Sequence, residues 1–255
     1  MLSVNNLTKR FSGIAAVDGI TFCIEAGVVT GCLGQNGSGK STTMKLITGL
    51  LEPTSGEVML EGLSIYKNLP AFRRRLGFVP EEPHLYAHLT GLEYLEMVAQ
   101  LRELPERGTL DRIEELLRLL ALADDRHAAI SSYSKGMRQK ILLAAALLHN
   151  PDVILLDEPF SGLDIGISLV LRSLIKQLAR RGKAVLFSSH ELDVVEKVAD
   201  RVVILHRGKV VANDTISGLR ALMSEPSLEI IFSQLAAGID VEVTANAIAE
   251  VVVQA

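Results

Sequence analysis

Gly34-Gln35-Asn36-Gly37-Ser38-Gly39-Lys40-Ser41 stands directly after the apolar run Val28 to Leu33 and directly before a stretch with helical spacing, Lys40 to Leu50. Glycines, a lysine and a hydroxyl in the order G-x-x-x-x-G-K-S, between a strand and a helix, make a loop that cradles phosphate. The glycines let the backbone wrap an anion with its N–H groups pointing inward. The helix that follows presents its positive end to the same anion. Lys40 is then placed to reach the β- and γ-phosphates of a nucleotide, and Ser41 to ligate Mg²⁺. A loop of this kind commits the chain to an α/β core with a buried sheet.

A second segment answers the first. Val153-Ile154-Leu155-Leu156 is a short apolar strand that ends in Asp157-Glu158-Pro159. A buried strand terminating in carboxylates suggests the rim of a parallel sheet, where ligands sit. Asp157 is placed to hold Mg²⁺ through its water shell. Glu158, one residue on and therefore on the other face of an extended strand, is placed to orient or deprotonate an attacking water. Taken alone, the pair reads equally well as a solvated turn. Ser188-Ser189-His190 follows the strand Ala184 to Phe187 in the same manner, and His190 at that strand end can donate to a γ-phosphate. A lone histidine is more often structural or merely exposed, so its weight here comes from its position.

Leu2 to Leu7, Ala15 to Ile24 and Val28 to Leu33 alternate and turn like antiparallel strands, with Asp18-Gly19 and Gly27 as turns or bulges. Glu57 to Leu60 and Leu76 to Val79 read as further strands. Between Pro83 and Leu148 the chain turns helical. Leu110, Ile113, Leu117 and Leu120 form an apolar side, with Asp111, Arg112, Glu114, Glu115 and Arg118 opposite. From Val153 onward, short strands (to Leu156, Ala184 to Phe187, Arg201 to Leu205) alternate with helices over Gly166 to Arg181 and Leu192 to Val198, the rhythm of a parallel sheet. The expected fold is α/β: a phosphate-loop core with a mixed or parallel sheet, an N-terminal antiparallel β-subdomain and an inserted helical subdomain. The expected division is 1–82 with 151–215 as core, 83–150 as helical subdomain and 216–255 as a C-terminal extension.

Apolar residues make up 48% of the chain, enough for a sizeable core. The formal charge of -4 and the lack of a long Lys/Arg stripe argue against nucleic acid as partner. Cys23 and Cys32 are too few for a disulfide framework and read as reduced core thiols. The N-terminus lacks the basic start and apolar stretch of a signal peptide. The longest apolar run, Ile141 to Leu148, falls far short of the ~20 residues that cross a bilayer. The expectation is a cytoplasmic protein that would meet a membrane only by docking on something embedded in it.

Tyr133-Ser134-Lys135-Gly136-Met137-Arg138-Gln139 completes a set with the 34–41 loop, Asp157-Glu158, Ser161-Gly162-Leu163-Asp164 and His190. In order and spacing, from Leu2 to Asp214, the set resembles the nucleotide-binding subunits of ATP-binding-cassette transporters, most closely stand-alone ATPases that serve separate exporter permeases. The resemblance implies an ATPase using ATP and Mg²⁺. It implies ATP contacts from Phe11, Gly34, Gln35, Asn36, Gly37, Ser38, Gly39, Lys40, Ser41 and Thr42, with Phe11 stacking on adenine. It implies catalytic roles for Glu158, His190 and Lys40, and metal binding by Ser41, Asp157 and Glu81. Ser134, Lys135, Gly136 and Met137 match the signature loop that presses on ATP held by the opposite subunit, and Asp164 matches the loop at the dimer seam. The implied partners are a second copy or a paralogous ATPase, head to tail, and a membrane permease docking near 81–94, on the cytoplasmic face.

The chain departs from the family pattern in three places. Lys135 stands for the first glycine of Leu-Ser-Gly-Gly-Gln and adds a cation near the partner's phosphates; Met137 stands for the glutamine and loses an amide. Glu81 occupies the usual glutamine position in Gly77-Phe78-Val79-Pro80-Glu81-Glu82-Pro83. The stretch Met223 to Ala255 fits poorly, either a small dimerising helix or a loose tail, with only Leu228 to Phe232 like the family's ending. Pro83, Leu85, Tyr86, Leu89 and Tyr94 either line a groove for a permease helix or pack the lobe's own core. A second function class stays open, a soluble cassette ATPase acting on DNA, ribosomes or as an assembly scaffold. Against it stand the acidic balance, the single cassette, and a span between Lys40 and Ser134 too short for a long coiled coil.

Overall fold

The computed structural model describes residues 1–82 and 84–223, together with Ile230, Phe232, Ala249 and Glu250. In chain order the elements are β1 (Leu2–Phe11), β2 (Ile14–Ile24), β3 (Val29–Leu33), α1 (Lys40–Ile47), β4 (Ser55–Leu60), β5 (Leu63–Ser64), α2 (Leu69–Arg74) and β6 (Leu76–Val79). Then come α3 (Gly91–Leu101), α4 (Glu106–Leu119), α5 (Lys135–Leu147), β7 (Val153–Leu156), α6 (Ile165–Arg180), β8 (Ala184–Ser189), α7 (Leu192–Val198), β9 (Arg201–His206), β10 (Lys209–Thr215) and α8 (Ile216–Met223). Most of the expected dimerising helix or tail beyond α8, including Leu228 and Glu229, lies outside the described residues.

Two sheets carry the fold. One is antiparallel, ordered β2-β1-β4-β5; the other is ordered β10-β9-β3-β8-β7-β6, parallel except where β10 returns on β9. β3 was expected with the antiparallel strands at the N-terminus, and the structure corrects this: β3 sits between β8 and β9 in the larger sheet. All five of its residues are buried, the mark of a strand covered on both faces, whereas β1 and β2 alternate. The helical stretch leaves the sheet after β6 and returns at β7. The two pair directly, Leu76 with Val153 through Val79 with Leu156, so residues remote in the chain share one sheet edge.

The period-two alternation of the larger sheet splits the core. Ile154, Leu156, Val185 and Phe187 face a cluster made with α3 to α7, while Val153, Leu155, Ala184 and Leu186 face one made with α1 and the antiparallel sheet. Beneath the strand ends, Phe187 meets Phe160 edge to face with ring centroids 5.9 Å apart. On α4 the inward positions are Thr109, Ile113 and Leu117, spaced by four. Leu110, expected inside, is 46% exposed, because it lies one position round the helix from Thr109 on that inward stripe. α1 stops at Ile47 instead of Leu50, ended by Gly49 in the left-handed region.

Candidate functional site

The phosphate loop is held from both sides. Gly37 and Gly39 take positive φ, 80° and 106°, as a backbone curled around an anion requires. Gly39 is doubly constrained: a Cβ there would lie 2.7 Å from the Ala16 carbonyl oxygen on β2. The two-residue turn Arg207-Gly208 between β9 and β10 braces the other flank. Gly208 N–H donates to Ser38 O at 2.9 Å, and Asp18 N–H donates to Gly208 O at 2.8 Å. Sequence reasoning passed over this brace and the β9–β10 hairpin, whose first turn residue is Arg207 where Asn or Asp would have marked the turn, leaving Gly208 as its signal.

Lys40 is buried and folds back over its own loop. Its Nζ donates to Gly34 O at 2.7 Å and to Gln35 O at 3.3 Å, and lies 3.7 Å from Glu158 Oε1. The other carboxylate oxygen of Glu158 is 3.0 Å from Nδ1 of His190, whose side chain is half exposed. Ser38 is buried in the loop and its hydroxyl has no hydrogen-bond partner among the described residues.

A hydroxyl that the motifs do not name ties the two acids together. Ser188, fully buried at the end of β8, donates from Oγ to Asp157 Oδ1 at 2.6 Å and accepts from Glu158 N–H at 2.8 Å. Glu158 has φ 48°, so the strand has already broken and simple face alternation does not govern where its carboxylate points. Ser188 is thus an anchor shared by the Asp157 carboxylate and the Glu158 backbone, while the two acids line different cavities. The only sequence signal was a pair of hydroxyls at the end of a buried strand.

Burial pushes the Asp157 carboxyl above its ordinary range, with the Ser188 and Ser41 hydroxyls pulling the other way. Burial likewise pushes the Cys32 thiol up to about 12, against the pull of the Lys40 charge. Cys23 and Cys32 are both free thiols. A raised carboxyl pKa means the native state holds that proton more tightly than the unfolded chain does. Its contribution is therefore full below the unfolded value and is lost as pH rises through the folded value. Without nucleotide, Asp157→Asn should be more stable than the parent at neutral pH, with the difference shrinking toward about pH 4, the ordinary aspartate range. Denaturant unfolding of both proteins across that interval checks it.

A cavity of about 530 Å³ opens over the loop, lined by Phe11, Ala16, Asn36, Gly37, Gly39, Lys40, Ser41, Thr42, Glu81 and Glu158. Phe11 reaches its mouth from the tip of the β1–β2 hairpin, half exposed, with Lys9 Nζ 5.4 Å from its ring centroid. Gly34, Gln35 and Ser38, also expected to contact ATP, do not line the cavity. Asp157 lines an adjoining cavity of about 510 Å³ that shares Ser41 and Glu81.

Ser134, Lys135, Gly136, Met137 and Asp164 do not line the cavity of their own chain. Ser134 caps α5, its Oγ accepting from Met137 N–H at 3.2 Å, and Asp164 caps α6, its Oδ1 accepting from Ile167 N–H at 2.9 Å. The Met137 side chain is half-buried against the main core. Lys135 Nζ is engaged within the chain, donating to Ser161 Oγ at 3.1 Å.

A phosphate loop at the carboxyl end of a parallel sheet, facing a strand-end acid pair, makes this a nucleotide hydrolase of the phosphate-loop class. Residues 17–161 match the family described as ABC transporter. The chain is similar to the ABC transporter ATP-binding protein NatA of Bacillus subtilis (strain 168), 36% identical over 94% of this chain and all of the relative. It is equally similar, at 36% over 86% of this chain and 70% of the relative, to the bacitracin transport ATP-binding protein BcrA of Enterococcus faecalis. Among solved structures it superposes on an ATP-binding subunit of an ABC transporter with TM-score 0.87 at 32% identity, over 92% of this chain and 99% of that one. It also superposes, with TM-score 0.78 at 28% identity over 85% and 99%, on the cassette MJ0796, solved as a dimer bound to ADP and Pi after hydrolysis. The chain belongs to the ABC transporter family, as an ATP-binding and ATP-hydrolysing subunit of a transporter. Among the described residues no helix is long and apolar enough to cross a membrane.

Proposed function

We propose that two copies of this chain, or one copy and a paralogous ATPase, close head to tail around two ATP molecules and drive a separate membrane permease. One observation carries this reading. Within a single chain the cavity has a phosphate cradle and an acid pair, while Ser134, Gly136 and Asp164 sit at helix starts outside it. Each pocket would take its cradle, Asp157, Glu158 and His190 from one chain and Ser134 with Gly136 from the other. The dimeric MJ0796 cassette supports the arrangement.

The residues present fit Mg²⁺. Ser41 and Asp157 line one cavity, the Ser41 hydroxyl close enough to draw the Asp157 carboxyl down, and Glu81 stands where the two cavities meet. A hard dication that keeps its waters and shares phosphate oxygens needs no more protein ligands than these. When bound, it neutralises phosphate charge as the terminal group leaves. The rest falls to the chain. An incoming γ-phosphate draws Lys40 off Glu158 and the loop carbonyls, and the adenine ring lies against Phe11. The freed Glu158 takes a proton from water as its oxygen bonds to phosphorus and the bond to the β-phosphate oxygen breaks. His190, already against Glu158, meets the γ-phosphate and registers its loss.

Complementation between chains tests the head-to-tail reading. A Lys40→Ala chain and a Gly136→Asp chain should each be inactive alone, yet their mixture should regain turnover, since one of the two pockets in the mixed dimer is intact. Mixed dimers without turnover would sink the arrangement.

The permease would dock on the cytoplasmic face near 81–94, and the BcrA likeness supports export. The structure divides the residues expected to line that groove. Leu85 and Tyr94 pack against the main core, Tyr86 is 57% exposed beside His88, and Pro83 lies outside the described residues. Tyr86→Glu with Leu89→Glu should abolish transport in vesicles holding the permease while sparing the ATPase rate of the isolated subunit. Equal loss of both activities would count against docking there.

A further inference from the structure

The residue that departs most from the family signature makes a connection the family pattern does not supply. Lys135, the first residue of α5, lays its alkyl stem over Gly162. A Cβ added to Gly162, whose φ is 74°, would stand 2.9 Å from Lys135 Cδ. The lysine head then donates to Ser161 Oγ at 3.1 Å. Beside it, a Cβ on Gly136 would be 3.3 Å from the Gly162 carbonyl oxygen, so the two turns touch through backbone as well. Met137 and Leu163, just behind, are both half-buried against the same core. Ser161 is in turn tied to the acid pair, since its N–H donates to Glu158 O at 3.1 Å.

We propose that Lys135 is a positioning residue that couples the two ATP pockets, acting within its own chain through Ser161 on Glu158. The proposal rests on the head-to-tail reading above. In that arrangement Ser134 and Gly136 press on ATP held by the partner, while Glu158 of the same chain serves the chain's own ATP. The path from one pocket to the other is then short and continuous: signature turn, Lys135, Ser161, the Glu158 carbonyl. A shift of α5 toward the partner's phosphate pulls on the turn that carries Glu158, whose backbone is left-handed at φ 48°. This differs from the sequence-based expectation that Lys135 adds a cation near the partner's phosphates. A lysine aimed at phosphate would owe nothing to Ser161.

A double-mutant cycle separates the two roles. Lys135→Met keeps the stem over Gly162 and removes the donor; Ser161→Ala removes the acceptor and leaves the charge. Each should lower kcat about three- to tenfold, hold KM for ATP within about twofold, and move the Hill coefficient for ATP toward one. The double variant should be no worse than either single one, and Lys135→Arg, which keeps a donor, should restore most of the rate. Additive losses, or a Ser161→Ala protein indistinguishable from the parent, would overturn the coupling. The same variants in a Glu158→Gln background show whether the dimer forms with ATP. A dimer with additive kinetics defeats the coupling alone, whereas no dimer at all defeats the head-to-tail reading beneath it.

Discussion

Glu158→Gln is expected to bind ATP, to accumulate as a dimer, and to turn over roughly 10²–10⁴-fold more slowly, the range for loss of a general base. The amide keeps the shape of the side chain and can still meet His190, but it cannot take a proton from water. Two features single out Glu158 over its neighbour. Its carboxylate is the one within reach of both Lys40 and His190, and it lines the nucleotide cavity, whereas Asp157 lies beyond Ser41 in the adjoining space. Single-turnover kinetics together with size-exclusion chromatography in ATP would check it. An unchanged rate would remove Glu158 from the chemistry and leave the water to some other group.

Lys40→Ala should fail at an earlier step. A charge-assisted hydrogen bond contributes about 1.5–3 kcal/mol, so losing the ammonium should weaken ATP binding about 10- to 100-fold. The structure adds a second consequence. Without nucleotide, Lys40 Nζ satisfies the Gly34 and Gln35 carbonyls and stands near the buried Glu158 carboxylate. Its removal leaves the loop without its internal strut, so the empty variant should also unfold at lower denaturant. Calorimetric titration with ATP reads the first effect and equilibrium unfolding the second. Native affinity in this variant would mean that the loop backbone alone holds the phosphates.

The site was legible in the sequence wherever its parts are neighbours in the chain. The loop 34–41, the strand end at 157–158 and the helix start at 134 are each written in a few consecutive residues, and each sits where its pattern places it. The bounds of β6, β7 and α7 followed directly from their apolar runs. Other features were hidden because no period or spacing encodes them. Ser188 looks like any hydroxyl at a strand end until β8 lies beside β7. Gly208 looks like an ordinary turn glycine until its N–H meets Ser38 O. Lys135 reads as a cation for the partner's phosphates until the fold sets its stem over Gly162.

Local chemistry thus determined the phosphate-loop class of this protein: a glycine-rich cradle, its lysine and hydroxyl, and an acid pair on a buried strand. These depend on backbone conformations and side chains only a few residues apart. Tertiary structure decided where β3 belongs, which hydroxyl joins Asp157 to Glu158, what braces the loop, and which residues remain outside the cavity. Those outcomes come from the order of strands in the sheet, a competition among pairings of distant segments that burial settles over the whole chain at once.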